Sequence, residues 1–388
     1  MKGLRERFGR PLRLALIGGG PGSWIGRVHQ SAAELDGYWR VVGGVVSSDP
    51  ARSRDAGAEL GFDRARSYGD LRELLDKEKA REDGIDAVAI MTPNDTHYPY
   101  AVAALDAGLD VVCDKPVTHD FAQACDLVVR TRKKERVFAI AHGYSAYPMT
   151  RYVRELVRDG ILGALRLVQV EYIQSGLATK IEDAPQNNRL RWLVDPRRSG
   201  LALVMSAIGC HAQHLACFVS GLTLDELSAD MTSFVKGRKV DDNVNAMLRF
   251  KNGARGMLWA SQVAPGNENG LRLRVYGTKG GIDWTQADPN YLWFTPFGHE
   301  KRLITRGGAG AGAAAGRVTR VPPGHPEGYL EGFANIYTEA ARAIIARRSG
   351  KKTDKDVMFP GIEDGVAGMA FIEACKKSSA KNGKWTKV

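Results

Sequence analysis

The sequence lacks the features that would place it in a membrane or in an oxidising compartment. No apolar run reaches the roughly 18 residues that a membrane-spanning helix needs. Its five cysteines are scattered and include no C-x-x-C pair, which argues against a disulfide framework or a thiolate zinc site. The apolar stretch near the N-terminus is short and soon interrupted by glycines, unlike a secretory signal. These absences predict a cytoplasmic protein with no membrane partner and no metal.

Acidic residues are the minority among the charged ones, and the formal net charge is +11. The basic residues are dispersed and usually alternate with acidic ones, and no nucleic-acid-binding motif is recognisable. We therefore expect no nucleic-acid partner. A basic surface of this kind attracts anionic ligands, which include phosphate-bearing cofactors and acidic sugars.

The first 145 residues alternate between strand and helix patterns. Unbroken apolar runs are typical of parallel strands that are covered on both faces, and helical segments separate these runs. The pattern predicts an α/β domain with a parallel sheet over residues 1–148. Its predicted strands are 12–17, 41–46, 86–91, 110–113 and 137–141.

After about residue 150 the pattern changes to alternating apolar and polar residues, as in 167–173 and 271–275. Asn252-Gly253 separates two such runs and predicts a hairpin. The pattern predicts an α+β domain over 149–388 with an open antiparallel or mixed sheet. It leaves open that the last helices pack on the first domain. The Gly- and Ala-rich run 307–316 predicts a mobile loop.

A glycine-rich turn lies between the first predicted strand and the following helix, which is the context of a dinucleotide-binding fingerprint. Glycine allows the backbone to approach a pyrophosphate closely, and the helix N-terminus supplies N–H groups and a positive dipole end. The cofactor-binding candidates in this turn are Gly18, Gly20, Gly22, Ser23, Trp24 and Ile25.

The residues after the second strand leave the nicotinamide cofactor undecided. An acid that binds the ribose 2′-hydroxyl is expected there, and Ser47 occupies its position. Ser47 and Arg52 could accept a 2′-phosphate, which favours NADP. Asp49 could instead reach the ribose, which favours NAD. Asp49-Pro50 is equally typical of an ordinary helix start.

Polar segments also end the third and fourth strands, at the sheet edge where ligands of such folds bind. After the third strand, Thr92, Pro93, Asn94 and His97 are candidates for the nicotinamide side. Asp114, Lys115 and Pro116 follow the fourth strand and are further cofactor-binding candidates. A lysine at this edge could orient a substrate hydroxyl and exchange its proton, so we predict Lys115 as a catalytic residue.

A second catalytic candidate is His211, near the start of a helix that also carries His214. The spacing of these histidines would allow a metal pair, but no carboxylate stands in H-E-x-x-H register, so no metal is predicted. His214 could equally be a core residue. Trp192 offers a flat apolar face on which a sugar ring could stack. The substrate-binding candidates are Tyr144, Trp192, His211, His214, Asp242, Asn243 and His325.

The glycine turn with its trailing His29, the T-P-N-D-T-H segment, C-D-K-P and I-G-C-H together resemble the glucose–fructose oxidoreductase / inositol dehydrogenase / MocA family. The resemblance covers essentially the whole chain. It implies an N-terminal Rossmann domain, NAD or NADP as cofactor, and a cis bond before Pro116. It also implies that Lys115 is the catalytic lysine and that His211 acts at the hydride-transfer carbon. The implied activity is reversible oxidation of a ring hydroxyl in a sugar, glycoside or cyclitol, by a homodimer or homotetramer.

The sequence departs from this family in three places. The glycine loop is about three residues longer than G-x-G-x-x-G, Ser47 replaces the second-strand acid, and Ala207 stands where an aspartate often precedes the catalytic histidine. Two alternatives therefore stay open beside the dehydrogenase. One is a redox-neutral NAD-dependent glycosidase, which oxidises transiently, eliminates the aglycone and adds water. The other is a non-catalytic sensor of sugar or cofactor.

Overall fold

The chain divides into two compact units, each built from two separate stretches of sequence. The computed structural model describes residues 8–183, 188–200 and 202–388. The first unit comprises Met1–Gly143 and Leu330–Val366, and the second comprises Tyr144–Tyr329 and Ala367–Val388.

The first unit contains a five-stranded parallel sheet in the order β2-β1-β3-β4-β5. This confirms the predicted parallel α/β sheet, and β4 has the predicted bounds. The elements of its N-terminal stretch are β1 (Leu12–Gly18), α1 (Trp24–Leu35), β2 (Trp39–Val45), α2 (Pro50–Glu59), α3 (Leu71–Lys79), β3 (Ala87–Met91), α4 (Asn94–Asp106), β4 (Asp110–Cys113), α5 (Phe121–Lys133) and β5 (Phe138–Ile140).

Polar caps fix where several of these helices begin. Asp49, Asp70 and Asp120 each accept a hydrogen bond from a backbone N–H in the first turn of α2, α3 and α5. Helix α4 begins at Asn94, and Pro99 lies inside it.

Helix α11 (Tyr329–Arg348) supplies most of the C-terminal stretch of the first unit. Its buried side chains include Phe333 and Tyr337. Arg348 forms a salt bridge with Asp86, and Arg347 Nη2 lies 2.8 Å from Asp110 Oδ2. These aspartates stand at the N-terminal ends of β3 and β4, so the end of α11 is tied to the parallel sheet.

The second unit contains a nine-stranded mixed sheet in the order β13-β12-β11-β10-β6-β9-β8-β7-β14. Strands β6 and β9 pair in parallel, and the other neighbours are antiparallel. This confirms the predicted open antiparallel or mixed sheet. The strands are β6 (Leu165–Ile173), β7 (Leu224–Thr232), β8 (Asn243–Phe250), β9 (Arg255–Ser261), β10 (Gly270–Gly277), β11 (Gly280–Thr285), β12 (Tyr291–Pro296), β13 (Arg302–Thr305) and β14 (Thr386–Lys387).

Helix α9 packs against β6, β9 and β10 and covers one face of this sheet. A π-helical turn, Met205–Gly209, leads directly into α9. On the opposite face, Met247 and Met257 are largely exposed. The helices of the second unit are α6 (Pro148–Arg158), α7 (Asn188–Val194), α8 (Pro196–Ser199), α9 (Cys210–Ser220) and α10 (Ala313–Gly316), and α12 (Ile362–Ser379) begins in the first unit and ends in the second.

Helix α10 lies inside the run 307–316, which the sequence pattern had indicated as a loop. The helix packs against α6, and Glu155 Oε2 accepts a hydrogen bond from Ala314 N at 3.1 Å. The alanines therefore form a helical turn, because they bury Ala315 while Glu155 holds the backbone.

None of the helices in the described part of the chain is long and apolar enough to cross a membrane. All five cysteines are free thiols, and Cys113, Cys210 and Cys375 are buried. The elements are therefore held together by packing and hydrogen bonds, without covalent cross-links from cysteine.

Candidate active site

In the turn between β1 and α1, the strand end and the helix are in close contact. A Cβ atom on Gly26 would lie 2.0 Å from the carbonyl oxygen of Gly19. A Cβ atom on Gly19 would in turn lie 2.8 Å from Gly26 Cα. Helix α1 can begin this close to the strand only because both positions lack a side chain.

The same turn fits the pyrophosphate of a dinucleotide. Gly22 has a φ of +78°, and a Cβ atom on it would meet nothing within 4 Å, so a ligand can approach the backbone there. Ser23 caps α1, with its Oγ accepting from Gly26 N at 3.3 Å. The first turn of α1 adds N–H groups and the positive end of the helix dipole. Trp24 is mostly exposed beside this turn.

Ser47, Asp49 and Arg52 follow β2 at the surface. Asp49 Oδ1 accepts from Arg52 N at 2.7 Å and caps α2, and Ser47 Oγ accepts from Asp49 N at 3.2 Å. The cap leaves the Asp49 carboxylate exposed beside Ser47. A carboxylate here can bind a ribose 2′-hydroxyl and would repel a 2′-phosphate.

The ends of β1 and β3 lie side by side at the switch point of the parallel sheet, where ligands of open α/β sheets bind. A Cβ atom on Gly18 would lie 2.8 Å from Thr92 Cγ2, so the structure brings these two predicted residues together. Pro93 and Asn94 follow directly, at the start of α4.

His97, on α4, joins the ends of β3 and β4. Its Nε2 lies 2.8 Å from the carbonyl oxygen of Thr92, and its Nδ1 lies 2.8 Å from that of Pro116. Burial lowers the pKa of His97, although both hydrogen bonds and the Asp114 charge oppose this shift. The buried imidazole therefore fixes two segments that the sequence predicted on the nicotinamide side.

Lys115 lies between Asp114 and Pro116, directly after β4. The Lys115–Pro116 peptide bond is cis, as the family resemblance implies. Asp114 N donates to the carbonyl oxygen of Ile90 at 2.8 Å, which ties this segment to β3. The structure thus places Lys115 at the carboxyl edge of the parallel sheet.

In the second unit, His211 lies in the first turn of α9, and Asp241 holds the chain that leads to it. The Asp241 carboxylate accepts from the N–H groups of Leu203, Val204 and Met205, at 2.5, 3.0 and 3.2 Å. Burial raises the pKa of Asp241 to about 6, although these hydrogen bonds oppose the shift. Sequence reasoning missed Asp241, because its three donors come from a segment far away in the sequence.

A cluster of aromatic side chains of the second unit packs on the His211 ring. The Tyr144 ring lies 5.0 Å from it in an edge-to-face arrangement, and Tyr172 and Tyr329 complete the cluster. The Tyr144 and Tyr172 hydroxyl oxygens are 2.6 Å apart, and Tyr172 donates to Asn269 Oδ1 at 2.7 Å. Of the predicted substrate-binding residues, Tyr144 is therefore the one packed on His211, while Tyr172 and Asn269 were missed.

Three other substrate-binding candidates of the second unit have different surroundings. His214 is buried, and its Nε2 lies 3.0 Å from Ser145 Oγ. Trp192 is half-buried on α7. The His325 side chain is exposed, and its carbonyl oxygen accepts a hydrogen bond from Arg306.

The last two candidates, Asp242 and Asn243, have structural partners. Asp242 is completely buried, and its carboxylate accepts from the N–H groups of residues 234 and 235 and from Arg238. Asn243 Oδ1 accepts from Trp259 Nε1 at 2.9 Å. The contacts of Asp242 occupy both carboxylate oxygens, so we assign it to holding the loop before β8.

His211 and His214 do not form part of a metal centre in the described residues. In that part of the chain, no group of three or more His, Cys, Asp or Glu side chains could hold a metal ion. The interactions observed for these histidines are with aromatic rings and a serine hydroxyl.

Both halves of the chain match domain families. Residues 12–142 match the oxidoreductase family with an NAD-binding Rossmann fold, and residues 150–283 match the GFO/IDH/MocA C-terminal domain. The chain belongs to the Gfo/Idh/MocA family. This confirms the resemblance seen in the motifs.

Several relatives in the Gfo/Idh/MocA family are similar over nearly the whole chain. An oxidoreductase from Sinorhizobium meliloti is 49% identical, with 97% of this chain and 100% of that chain covered and a TM-score of 0.89. An inositol dehydrogenase homologue from Azotobacter vinelandii, solved with NADH and myo-inositol, is 32% identical, with coverage of 98% and 99% and a TM-score of 0.92. The uncharacterized oxidoreductase YfiI of Bacillus subtilis is 31% identical over 97% of this chain and 96% of its own length.

Membership in the Gfo/Idh/MocA family confirms that the chain is an NAD-binding oxidoreductase of a family of sugar and cyclitol dehydrogenases. The predicted Rossmann fold and nicotinamide cofactor are confirmed with it. The glycine turn, Thr92 and Lys115 belong to the Rossmann unit, and Tyr144 and His211 belong to the C-terminal unit.

Proposed function

We propose that this Gfo/Idh/MocA protein reversibly oxidises a ring hydroxyl of a cyclitol or sugar with NAD. The observation that carries the proposal is the position of Lys115 at the carboxyl edge of an NAD-binding sheet, between a partly buried aspartate and a cis proline. The Azotobacter relative, solved with NADH and myo-inositol, supports a polyol as substrate.

In this proposal, Lys115 takes the proton of the substrate hydroxyl and His211 hydrogen-bonds to the same group. Bound NAD supplies the hydride acceptor. Burial raises the pKa of Tyr144, so it stays a neutral phenol and acts by hydrogen bonding to substrate rather than as a base. His214, Trp192, Asn243 and His325 remain candidates for binding the rest of the ring.

We further propose that NAD is preferred over NADP. Asp49 presents an exposed carboxylate after β2, at the place where the ribose of the adenosine half is bound in folds of this kind. Its negative charge disfavours a 2′-phosphate, although Ser47 and Arg52 stand beside it. The NADH complex of the Azotobacter relative is consistent with this preference.

The experiment that tests the function follows the absorbance of reduced nicotinamide with NAD and NADP. The substrate panel contains inositols, neutral and acidic sugars and glycosides, and all products are identified by mass. We expect reduction of NAD with one class of cyclic polyol. Cleavage of a glycoside without net reduction would replace the proposal by the redox-neutral glycosidase, and cofactor binding without turnover would replace it by the sensor.

Replacement of Lys115 tests its assigned role. Lys115→Met keeps the length of the side chain but removes the amine, so we expect turnover to fall by about 10³-fold or more. NADH binding should stay within about threefold, because the glycine turn is unchanged. Lys79→Met, at an exposed position of α3, serves as the control. Turnover of Lys115→Met at a tenth or more of the wild-type rate would contradict the role.

A further inference from the structure

A buried hydrogen-bonded chain ends at the residue next to Lys115. His29, on α1, places Nδ1 2.6 Å from the Tyr337 hydroxyl and Nε2 3.2 Å from Asp114 Oδ1. His29 has no exposed area, and Tyr337 is 1% exposed. Asp114 directly precedes Lys115. The proposed function gives no task to His29 or Tyr337.

The direction of these hydrogen bonds follows from the groups that can donate. Burial, together with the Asp114 charge, raises the pKa of Tyr337 well above its ordinary value, so the phenol keeps its proton. An ionised Asp114 carboxylate can only accept. His29 therefore accepts from Tyr337 at Nδ1 and donates to Asp114 from Nε2.

The Asp114 carboxylate remains charged despite its surroundings. Burial raises the pKa of Asp114, but the interactions of its carboxylate with His29, Lys115 and His97 outweigh burial, and the net pKa is lowered. The groups that face Asp114 are thus His29 from α1, His97 from α4, Tyr337 from α11 and its neighbour Lys115. The Lys115 amine is thus one of the charges that stabilise this carboxylate.

The segment around Lys115 is held on both sides by buried histidines. His29 binds the side chain of Asp114, before Lys115, and His97 binds the carbonyl oxygen of Pro116, after it. Both histidines come from helices that begin at the ligand-binding edge of the sheet. A separate helix therefore holds the chain on each side of Lys115. Tyr337 of α11 in turn hydrogen-bonds to His29, which contacts the Asp114 carboxylate.

We propose that His29 and Tyr337 are positioning residues for Lys115, which act through the Asp114 carboxylate on the charge and orientation of the lysine amine. This inference rests on the proposed function, since that function assigns the proton transfer to Lys115. It extends the site to α11, which follows Lys115 by more than half of the chain.

Two variants test the inference with a minimal change of shape. Asp114→Asn removes the charge, and Tyr337→Phe removes only the hydroxyl that orients His29. Tyr68→Phe is the matched control, because Tyr68 is equally buried and donates to Glu78 Oε1 at 2.6 Å, in another part of the same unit. Each protein is compared by the pH profile of kcat/KM for alcohol oxidation and by its Kd for NADH.

We expect Asp114→Asn to lower kcat by about tenfold and to move the acid limb of the profile to lower pH by about one unit. The sign follows because an amine without its counter-charge gives up its proton more readily. Tyr337→Phe should shift the profile in the same direction by a smaller amount. The Kd for NADH should change by less than about threefold in both, and Tyr68→Phe should change neither kcat nor the profile.

A second measurement needs no turnover. The rate at which acetic anhydride acetylates Lys115 is followed against pH by peptide mass spectrometry, since only the neutral amine reacts. The reaction of Lys115 should begin at lower pH in Asp114→Asn than in wild type. If wild type oxidises no polyol, the proposed function fails, while this labelling still tests the link between Asp114 and Lys115. Labelling and rate profiles that shift no more in the two variants than in Tyr68→Phe would overturn the inference.

Discussion

The carboxylate of Asp49 is the side chain that we expect to separate the two nicotinamide cofactors. Asn can cap a helix as well as Asp, so Asp49→Asn should keep the start of α2 while removing the charge. We expect the ratio of kcat/KM for NADP to that for NAD to rise by about tenfold, because the repulsion of a 2′-phosphate is lost. Steady-state kinetics with both cofactors measures the ratio.

The control for this change is Asp70→Asn, which makes the same substitution at the cap of α3. It should leave the cofactor ratio unchanged and should change stability by no more than about 0.5 kcal/mol. An unchanged ratio in Asp49→Asn would show that Asp49 acts only as a cap.

Asp241 gives a prediction for stability against pH. Its pKa is raised to about 6 in the folded protein, above the ordinary value of a carboxyl group. The folded state therefore holds this proton more tightly, and the contribution of Asp241 to the free energy of unfolding decreases as pH rises from about 4 to about 6. Asp241→Asn cannot titrate and should lack this slope.

Denaturant unfolding at about pH 4.5, 5.5 and 7 measures the difference between wild type and Asp241→Asn. At pH near 7 the variant should be less stable by about 1–3 kcal/mol, because its amide nitrogen faces N–H donors that the carboxylate now accepts. The difference should increase on acidification. A difference that decreases on acidification would mean that the folded pKa of Asp241 is not raised.

At the level of residues, sequence could predict a functional side chain where a local motif marks it. Lys115 follows a buried strand inside C-D-K-P, and the glycine turn joins a strand to a helix. Asp242 also stands before a strand, but its partners lie in the preceding loop, and nothing in the pattern predicts that Arg238 and two backbone N–H groups bind it. The partner of His29 is Tyr337, 308 residues away, which is beyond any local signal.

The contact between α1 and β1 is the element-scale feature on which cofactor binding depends. In Gly26→Ala, the new Cβ atom would lie 2.0 Å from the Gly19 carbonyl oxygen, so α1 must move away from the strand. We expect a loss of about 1–3 kcal/mol in the free energy of unfolding, as for overpacked cores. The Kd for NADH should rise by about tenfold or more, because the N-terminus of α1 is displaced.

Gly316→Ala is the control for Gly26→Ala, because a Cβ atom on Gly316, in α10, would meet nothing within 4 Å. Its stability and its Kd for NADH should be close to wild type. Fluorescence titration with NADH and denaturant unfolding measure both. Wild-type NADH binding by Gly26→Ala would mean that α1 does not hold the cofactor.

At the level of elements, apolar runs predicted the strands of the first unit well. Strand β4 was bounded correctly because its apolar run lies between charged residues at both ends. In the second unit, alternation predicted strands but not their partners. The parallel pairing of β6 with β9 joins residues about 90 apart, and period-two alternation is the same for parallel and antiparallel pairs.

At the scale of the whole molecule, we propose that the exposed face of the mixed sheet joins copies of the chain into a homodimer or homotetramer. Met247 and Met257 lie opposite each other on β8 and β9, and more than half of each is exposed. Met247→Glu combined with Met257→Glu would place charges on this face, which disfavours a buried apolar interface. We expect a lower mass by light scattering than for wild type.

Val129→Glu is the control for this double variant, since Val129 is equally exposed on α5 of the first unit. It should leave the mass unchanged. A monomeric wild-type protein, or an unchanged mass in the double variant, would contradict the proposed interface.

Each unit is built from two separate stretches of the sequence, and this affects the order in which the units can fold during translation. On the ribosome, β1 to β5 emerge early, but Tyr337 is made only after residues 144–329. Trp39 and His29 of the first stretch both form hydrogen bonds with Tyr337. At about 5–20 residues per second, that delay lasts on the order of ten to forty seconds. During this time the nascent parallel sheet exposes the surface that α11 later covers, which is the kind of surface that chaperones bind. The unit that is translated first is therefore completed late.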